Sequence, residues 1–117
     1  MEISKGEIYF AELCIDYYGN NNVTTNELFF KDKNGNGWDA DIIIHSKKTA
    51  ILYNGIWHYK KITETHSLEQ MQNRDKIKTE LIEKSGYIPY VVVDLGKFDK
   101  QFVEEAFQIF LFCSIQY

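Results

Sequence analysis

Two runs of three β-branched residues, Ile42-Ile43-Ile44 and Val91-Val92-Val93, constrain this chain more than any other feature. Runs apolar at successive positions read as strands buried on both faces, not strands with one wet side. Burying both faces takes helices, and the sequence supplies three. Residues 4–18 recur at helical period through Ile8, Ala11, Ile15 and Tyr18, with Cys14 beside them. Ser4 and Glu7 have the spacing of a capping box, and Gly19 with three asparagines stops the helix. Residues 67–84 form a long polar helix capped by Ser67 and ended by Ser85-Gly86, with Leu68, Met71, Ile77, Leu81 and Ile82 as its expected core stripe. Residues 98–115 form the last helix, with Asp99 as its N-cap.

The remaining segments read as strands. Residues 25–31 carry Leu28, Phe29 and Phe30, and Asn34-Gly35-Asn36-Gly37 has the composition of a hairpin turn. Residues 38–45, 49–54 and 87–94 complete the set, with a turn at Ser46-Lys47-Lys48 and a break at Gly55. The expected order is α-β-β-β-α-β-α, a single α/β domain over residues 1–117 built around one mixed sheet.

Composition narrows the class. Hydrophobic residues at 44% and charged ones at 26% argue against disorder. A net charge of −4 does not favour a general nucleic-acid coat, but leaves room for an enzyme whose acidic residues bind metal. Cys14 and Cys113 are too few for a disulfide framework or a four-cysteine zinc site, which points to a reduced, cytoplasmic or nucleoid-associated protein. The longest apolar run, residues 109–113, is too short to span a bilayer, and the first residues lack the apolar core of a signal peptide.

Three constellations carry chemistry. Asp32-Lys33-Asn34-Gly35-Asn36-Gly37 imitates the start of a calcium loop, but Ile43 occupies the twelfth position, where a bidentate Glu belongs. A plain hairpin turn is expected there. Asp39 and Asp41, two apart, would share one face of a strand. The next strand leads to Gly55-Ile56-Trp57-His58, so a carboxylate and an imidazole could meet as a metal-and-base pair. Asn73-Arg74-Asp75-Lys76-Ile77-Lys78 on the long helix is either a solvated face with charge pairs or a face that meets phosphate.

These motifs together resemble the PD-(D/E)XK nuclease superfamily, and within it the very short patch repair endonucleases and the EDxHD homing endonucleases. The resemblance is carried by Ala40-Asp41-Ile42-Ile43-Ile44, by Ala50 through His58, by Asn73-Arg74-Asp75, and by Leu81 through Tyr87, over residues 4–94. It implies a restriction-endonuclease-like α-β-β-β-α-β core with an extra C-terminal helix. It implies an Mg²⁺-dependent endonuclease on double-stranded DNA, with Mn²⁺ as a possible substitute. Its catalytic set would be Glu7, Asp41, His58 and Asp75, with Asp41 as metal ligand beside a backbone carbonyl near Leu52 or Tyr53, and His58 as the base that activates water. Lys60, Lys61, Arg74, Lys76 and Lys78 would meet DNA phosphates.

Two departures stand out. Leu52 holds the place of a second acidic ligand, and Asn54 that of the usual lysine. The zinc-site cysteines of the repair enzymes are also missing. The same fold could therefore serve as an inactive DNA-binding or assembly module, or as a Holliday junction resolvase. Past Phe107 the last helix is apolar all round, which leads us to expect a homodimer through it.

Overall fold

The computed structural model describes residues 4–55 and 68–115, without the side chains of Leu68, Glu69, Met71, Ser114 and Ile115. Helix α1 runs Lys5–Tyr18. The Ser4 hydroxyl accepts the Glu7 N–H at 3.1 Å, and the Gly19 N–H closes the far end on the Ile15 carbonyl. Its core face is Gly6, Phe10, Ala11 and Cys14. Of the expected stripe, Ala11 and Cys14 are buried and Ile15 and Tyr18 pack against the core, while Ile8 is exposed. Spacing of four from Gly6 to Phe10 to Cys14 sets the buried face.

Strands β1 (Val23–Thr25), β4 (Ile42–Ile44), β5 (Thr49–Gly55) and β6 (Ile88–Asp94) form one mixed sheet in the order β1-β4-β5-β6. β4 pairs antiparallel with both β1 and β5, and β6 runs parallel to β5. The strand expected over residues 25–31 is broken. Asn26 adopts a left-handed φ of 54° and donates its N–H to the Asp41 carbonyl, so β1 ends at Thr25. The strand expected over residues 38–45 is broken as well. Its first part joins a separate hairpin of β2 (Phe30–Lys31) and β3 (Gly37–Trp38), and His45 begins a 3₁₀ turn, His45–Lys47. Asp32 organises the hairpin loop: one oxygen accepts the N–H groups of Asn34 and Asn36, the other the Trp38 indole N–H. The calcium-loop imitation is thus a carboxylate satisfied by its own turn.

Alternation along the strands builds two cores. Ile42, Ile44, Ile51, Tyr53 and Val92 face α1 and α3 (Lys100–Ile115), together with Phe10, Val103, Phe107 and Phe110. Ile43, Ala50 and Leu52 face the hairpin and α2 (Leu68–Lys84), meeting Phe30 and Ile82. Asp99 caps α3 through the N–H groups of Gln101 and Phe102. α2 ends in a Schellman arrangement, with the Tyr87 N–H on the Ile82 carbonyl and the Gly86 N–H on the Glu83 carbonyl, Gly86 being left-handed. Ile82 is the one buried side chain of α2 among the described residues, whereas Ile77, expected in the stripe, is exposed.

β6 departs from the doubly covered strand that its three valines suggest. Among the described residues it lies at the sheet edge, with Val92 buried and Val91 and Val93 exposed at 45% and 43%. The end of the sheet carrying His45 is closed by a polar and aromatic knot. The His45 ring lies 3.0 Å from each of Glu27, Thr24 and the Tyr87 hydroxyl, and Phe29 packs on both rings. Thr24 and then His45 hold the Glu27 carboxyl below its usual range. His45, expected to be a plain surface residue, ties three connections together.

Because Ile82 is the fully buried anchor of α2 among the described residues, Ile82→Ala should lower unfolding free energy by about 3 kcal/mol. Ile77→Ala should change it by no more than ~0.5 kcal/mol. Urea titration of both variants checks the contrast.

Candidate active site

The site follows from a mismatch of strand lengths. β4 has three residues and β5 seven, so β5 runs on past its neighbour towards Gly55. The register Ile42↔Ile51 leaves the Tyr53 N–H facing the gap where β4 has ended. Asp41 fills that gap: its Oδ2 accepts the Tyr53 N–H at 2.7 Å. In an antiparallel ladder, N–H and C=O of one residue point the same way. The Tyr53 carbonyl therefore faces the Asp41 side, and the Leu52 carbonyl faces β6. Of the two carbonyls expected near the metal, Tyr53 supplies the one beside Asp41.

Glu7 enters from the first turn of α1. Its backbone completes the Ser4 cap, while its half-buried carboxyl is electrostatically coupled to Asp41 and Asp39. Burial, then the negative charges of Asp41 and Asp39, push its pKa up to about 7, with Lys78 pulling the other way. Lys78 reaches over from α2 and pairs with Asp39 Oδ1 at 3.3 Å. Asp39 and Asp41, expected to share a strand face, lie instead in the connection between β3 and β4, where Asp39 links α2 to the site.

A second pair, Tyr53 and Asp94, backs the first. The Tyr53 hydroxyl donates to Asp94 Oδ2 at 2.7 Å, across the ends of β5 and β6. Burial, and then Asp94, raise the Tyr53 hydroxyl above its ordinary value. Gly6 is required at this point, since a Cβ there would sit 2.6 Å from the Tyr53 hydroxyl and 2.8 Å from Asp94 Oδ2. α1 approaches the sheet end closely enough to deliver Glu7 only because residue 6 has no side chain. Sequence reasoning passed over Asp94 and Gly6. The available signals were a carboxylate closing a three-valine strand and a glycine inside the first turn of a helix.

The other expected residues are distributed unevenly. Asp75 is half-buried on α2, one turn before Lys78, with its carbonyl accepting the Thr79 hydroxyl at 2.8 Å. Arg74 lies 5.8 Å from the centre of the Trp38 ring, on the hairpin side of the helix with Lys78. Lys76 is exposed and stands about 200° round the helix from Arg74. His58, Lys60 and Lys61, with Trp57 and His66, lie outside the described residues. Leu52 is core, packed with Ile82 and Phe30, and Asn54 is buried.

Among the described residues, no three His, Cys, Asp or Glu side chains form a ready-made metal cage. The donors present are oxygens, of the kind an ion that keeps most of its waters can use. Mg²⁺ is commonly held by one or two carboxylates, with waters and substrate phosphate completing its shell. Asp41, the coupled Glu7 carboxyl and the Tyr53 carbonyl provide that kind of oxygen set. No protein-family model, no curated protein and no solved structure matches the chain.

Glu7 carries a pH signature. Folded, it keeps a proton up to about pH 7, where the unfolded chain releases it near 4.5. The folded state binds more protons between those values, so this contribution is fully present below 4.5 and is lost as pH rises through about 7. Glu7→Gln should flatten that slope and raise stability at high pH by on the order of 1 kcal/mol, allowing for solvent screening. Thermal melts at about pH 5 and about pH 8 measure both. Gly6→Ala should destabilise by about 2 kcal/mol or more, because both clashing atoms belong to one hydrogen-bonded pair.

Proposed function

We propose that this chain is an Mg²⁺-dependent endodeoxyribonuclease of the PD-(D/E)XK type, acting on double-stranded DNA as a homing or patch-repair-like enzyme. The observation that supports the reading is Asp41, fixed at the end of β5 by the Tyr53 N–H, with the Glu7 carboxyl from the start of α1 within reach of its charge. Carboxyl groups whose negative charges disfavour one another are relieved by a divalent cation. Such an ion, when bound, would neutralise charge developing on a phosphodiester.

The chain's own groups then have distinct tasks. The Tyr53 N–H fixes the orientation of Asp41, and Tyr53 with Asp94 braces the end of β5 on which Asp41 rests. His58 would take the proton from the attacking water, as its place after Gly55 in the resemblance implies. Asp75 would support it from α2. Arg74 and Lys78 flank the site on the same helix and offer cationic groups to the DNA backbone, with Lys60, Lys61 and Lys76 as the further contacts expected from sequence. Lys78 would exchange its partner Asp39 for phosphate.

One observation favours a second reading. Leu52 is buried in the core facing α2 and cannot be a ligand, so an inactive DNA-binding or assembly module of the same fold is the rival. Plasmid nicking with Mg²⁺ or Mn²⁺, with and without EDTA, separates the two. A branched-junction substrate in the same assay tests a resolvase.

Asp41→Asn should reduce nicking by on the order of 10²-fold or more and abolish the Mg²⁺-induced rise in melting temperature, while the amide keeps the shape of the site. His58→Ala should cost ~10²–10⁴-fold yet keep metal and DNA binding. The wild-type rate should rise through an apparent pKa in the histidine range; a flat profile with rate-limiting chemistry would count against His58 as the base. DNA affinity should depend steeply on salt, with the log-log slope falling by about 0.9 for each phosphate contact removed at Arg74 or Lys78.

A further inference from the structure

β6 has a neighbour on one side only among the described residues. The Ile88 N–H points to β5, bonding the Lys48 carbonyl at 2.7 Å. Alternation then turns Tyr90, Val92 and Asp94 inward to β5, and Pro89, Val91 and Val93 outward. Proline, which has no N–H, thus falls on the outer side, where an edge strand tolerates it. Two outward donors remain, the N–H groups of Val91 and Val93, with carbonyls beside them.

Apolar surface frames that edge. An open groove between β6 and α3 is lined by Tyr90, Val92, Phe102, Ala106 and Ile109, with the charged Glu105 also on its wall. Phe102, Ala106 and Ile109 follow helical spacing along the α3 face next to the covered one of Val103, Phe107 and Phe110. Ile109 is 59% exposed, and Phe112 beyond it 65%. Val91, Val93 and Leu95 extend the patch on the other side of the strand. The helix is therefore not apolar for want of any cover: one face is packed, and the other leans over the open edge.

We propose that a second copy of this chain occupies this edge, β6 pairing antiparallel with its twin about a two-fold axis at Val92. In that register Val91 faces Val93 of the other copy and Val93 faces its Val91, each pair exchanging two N–H···O=C bonds. All four outward donors are used, and Pro89, which has none to give, comes opposite Leu95. A two-fold centred on Val91 would use the same four donors, with Val93 giving its N–H to the Pro89 carbonyl, so the edge is self-complementary in either register. The area agrees. Val91, Val93, Leu95, Phe102, Ile109 and Phe112 each still expose on the order of 100 Å². With the backbone edge this approaches the roughly 800 Å² per partner of a stable association. The product is one continuous eight-stranded sheet with an α3 from each copy beside the seam.

Sedimentation equilibrium of the full chain, from low to on the order of 100 µM, tests this. The wild type should dimerise. Val93→Pro removes an outward donor without touching the β5 ladder, and should weaken association about 10- to 100-fold, since two bonds are lost per dimer. Ile109→Glu, on an exposed helix position, should weaken it comparably and leave circular dichroism unchanged. Amide exchange at Val91 and Val93 should slow with concentration in the wild type and not in Ile109→Glu. A wild type that stays monomeric throughout, a dimer insensitive to Ile109→Glu, or Val91 and Val93 amides that exchange freely within the dimer would each overturn the proposal. None of these readouts depends on cleavage, so the nuclease reading stands or falls separately.

Discussion

The bond from the Tyr53 N–H to the Asp41 carboxylate is the interaction on which the functional end of this molecule rests. A strand that outruns its neighbour leaves backbone groups without partners, and burying them unpaired costs about as much as a lost hydrogen bond. Here a side chain from the shorter strand takes the vacant place. The arrangement does two things at once: it ends the β4–β5 ladder, and it orients a charged group that would otherwise have many rotamers. Glu7 is then placed near a carboxylate that is already fixed, while Lys78 pairs with the neighbouring Asp39.

α1 and α2 reach that point by different physical means. α1 comes close because Gly6 has no side chain to hold it off the Tyr53–Asp94 pair. α2 is held by Ile82 near its far end, and its only described reach into the site is the long side chain of Lys78. The carboxyl group thus arrives on a rigid, closely packed helix start, while the ammonium arrives on a flexible arm. An oxygen set that must be held within a few tenths of an ångström belongs on the former, and a phosphate-steering charge works well from the latter.

Much of this was legible in the amino-acid order, for reasons that differ by element. The Ser4 and Asp99 caps, the Gly86 stop and the long strand after Lys48 follow from local chemistry and were read correctly. The breaks in segments 25–31 and 38–45 come from bonds that no periodicity signals: Asn26, left-handed, donates to the distant Asp41 carbonyl, and the Trp38 indole N–H goes to Asp32 within its own hairpin. Val91 and Val93 look buried from composition, yet strand order, which no local pattern encodes, puts them at an edge. The grouping of Asp41 and Glu7 in one candidate site was suggested by resemblance, whereas the Tyr53–Asp94 bond and the close approach at Gly6 were invisible, because they depend on how closely a helix approaches a sheet.

The contact between α1 and α3 bears on how the chain acquires its structure. Phe10 packs against Phe107 and Phe110, and the Tyr9 hydroxyl bonds Glu104 across 95 positions of sequence. The parallel β5–β6 pair likewise joins distant segments, Thr49 with Ile88. Contacts so remote are slow to form, because the loop entropy is lost before the contacts return anything. On the ribosome, α1 can meet Tyr53 and the strands before α3 follows it out of the tunnel. The faces of Phe10 that pack on Phe107 and Phe110 must wait in that interval, so the main core is completed only when α3 arrives.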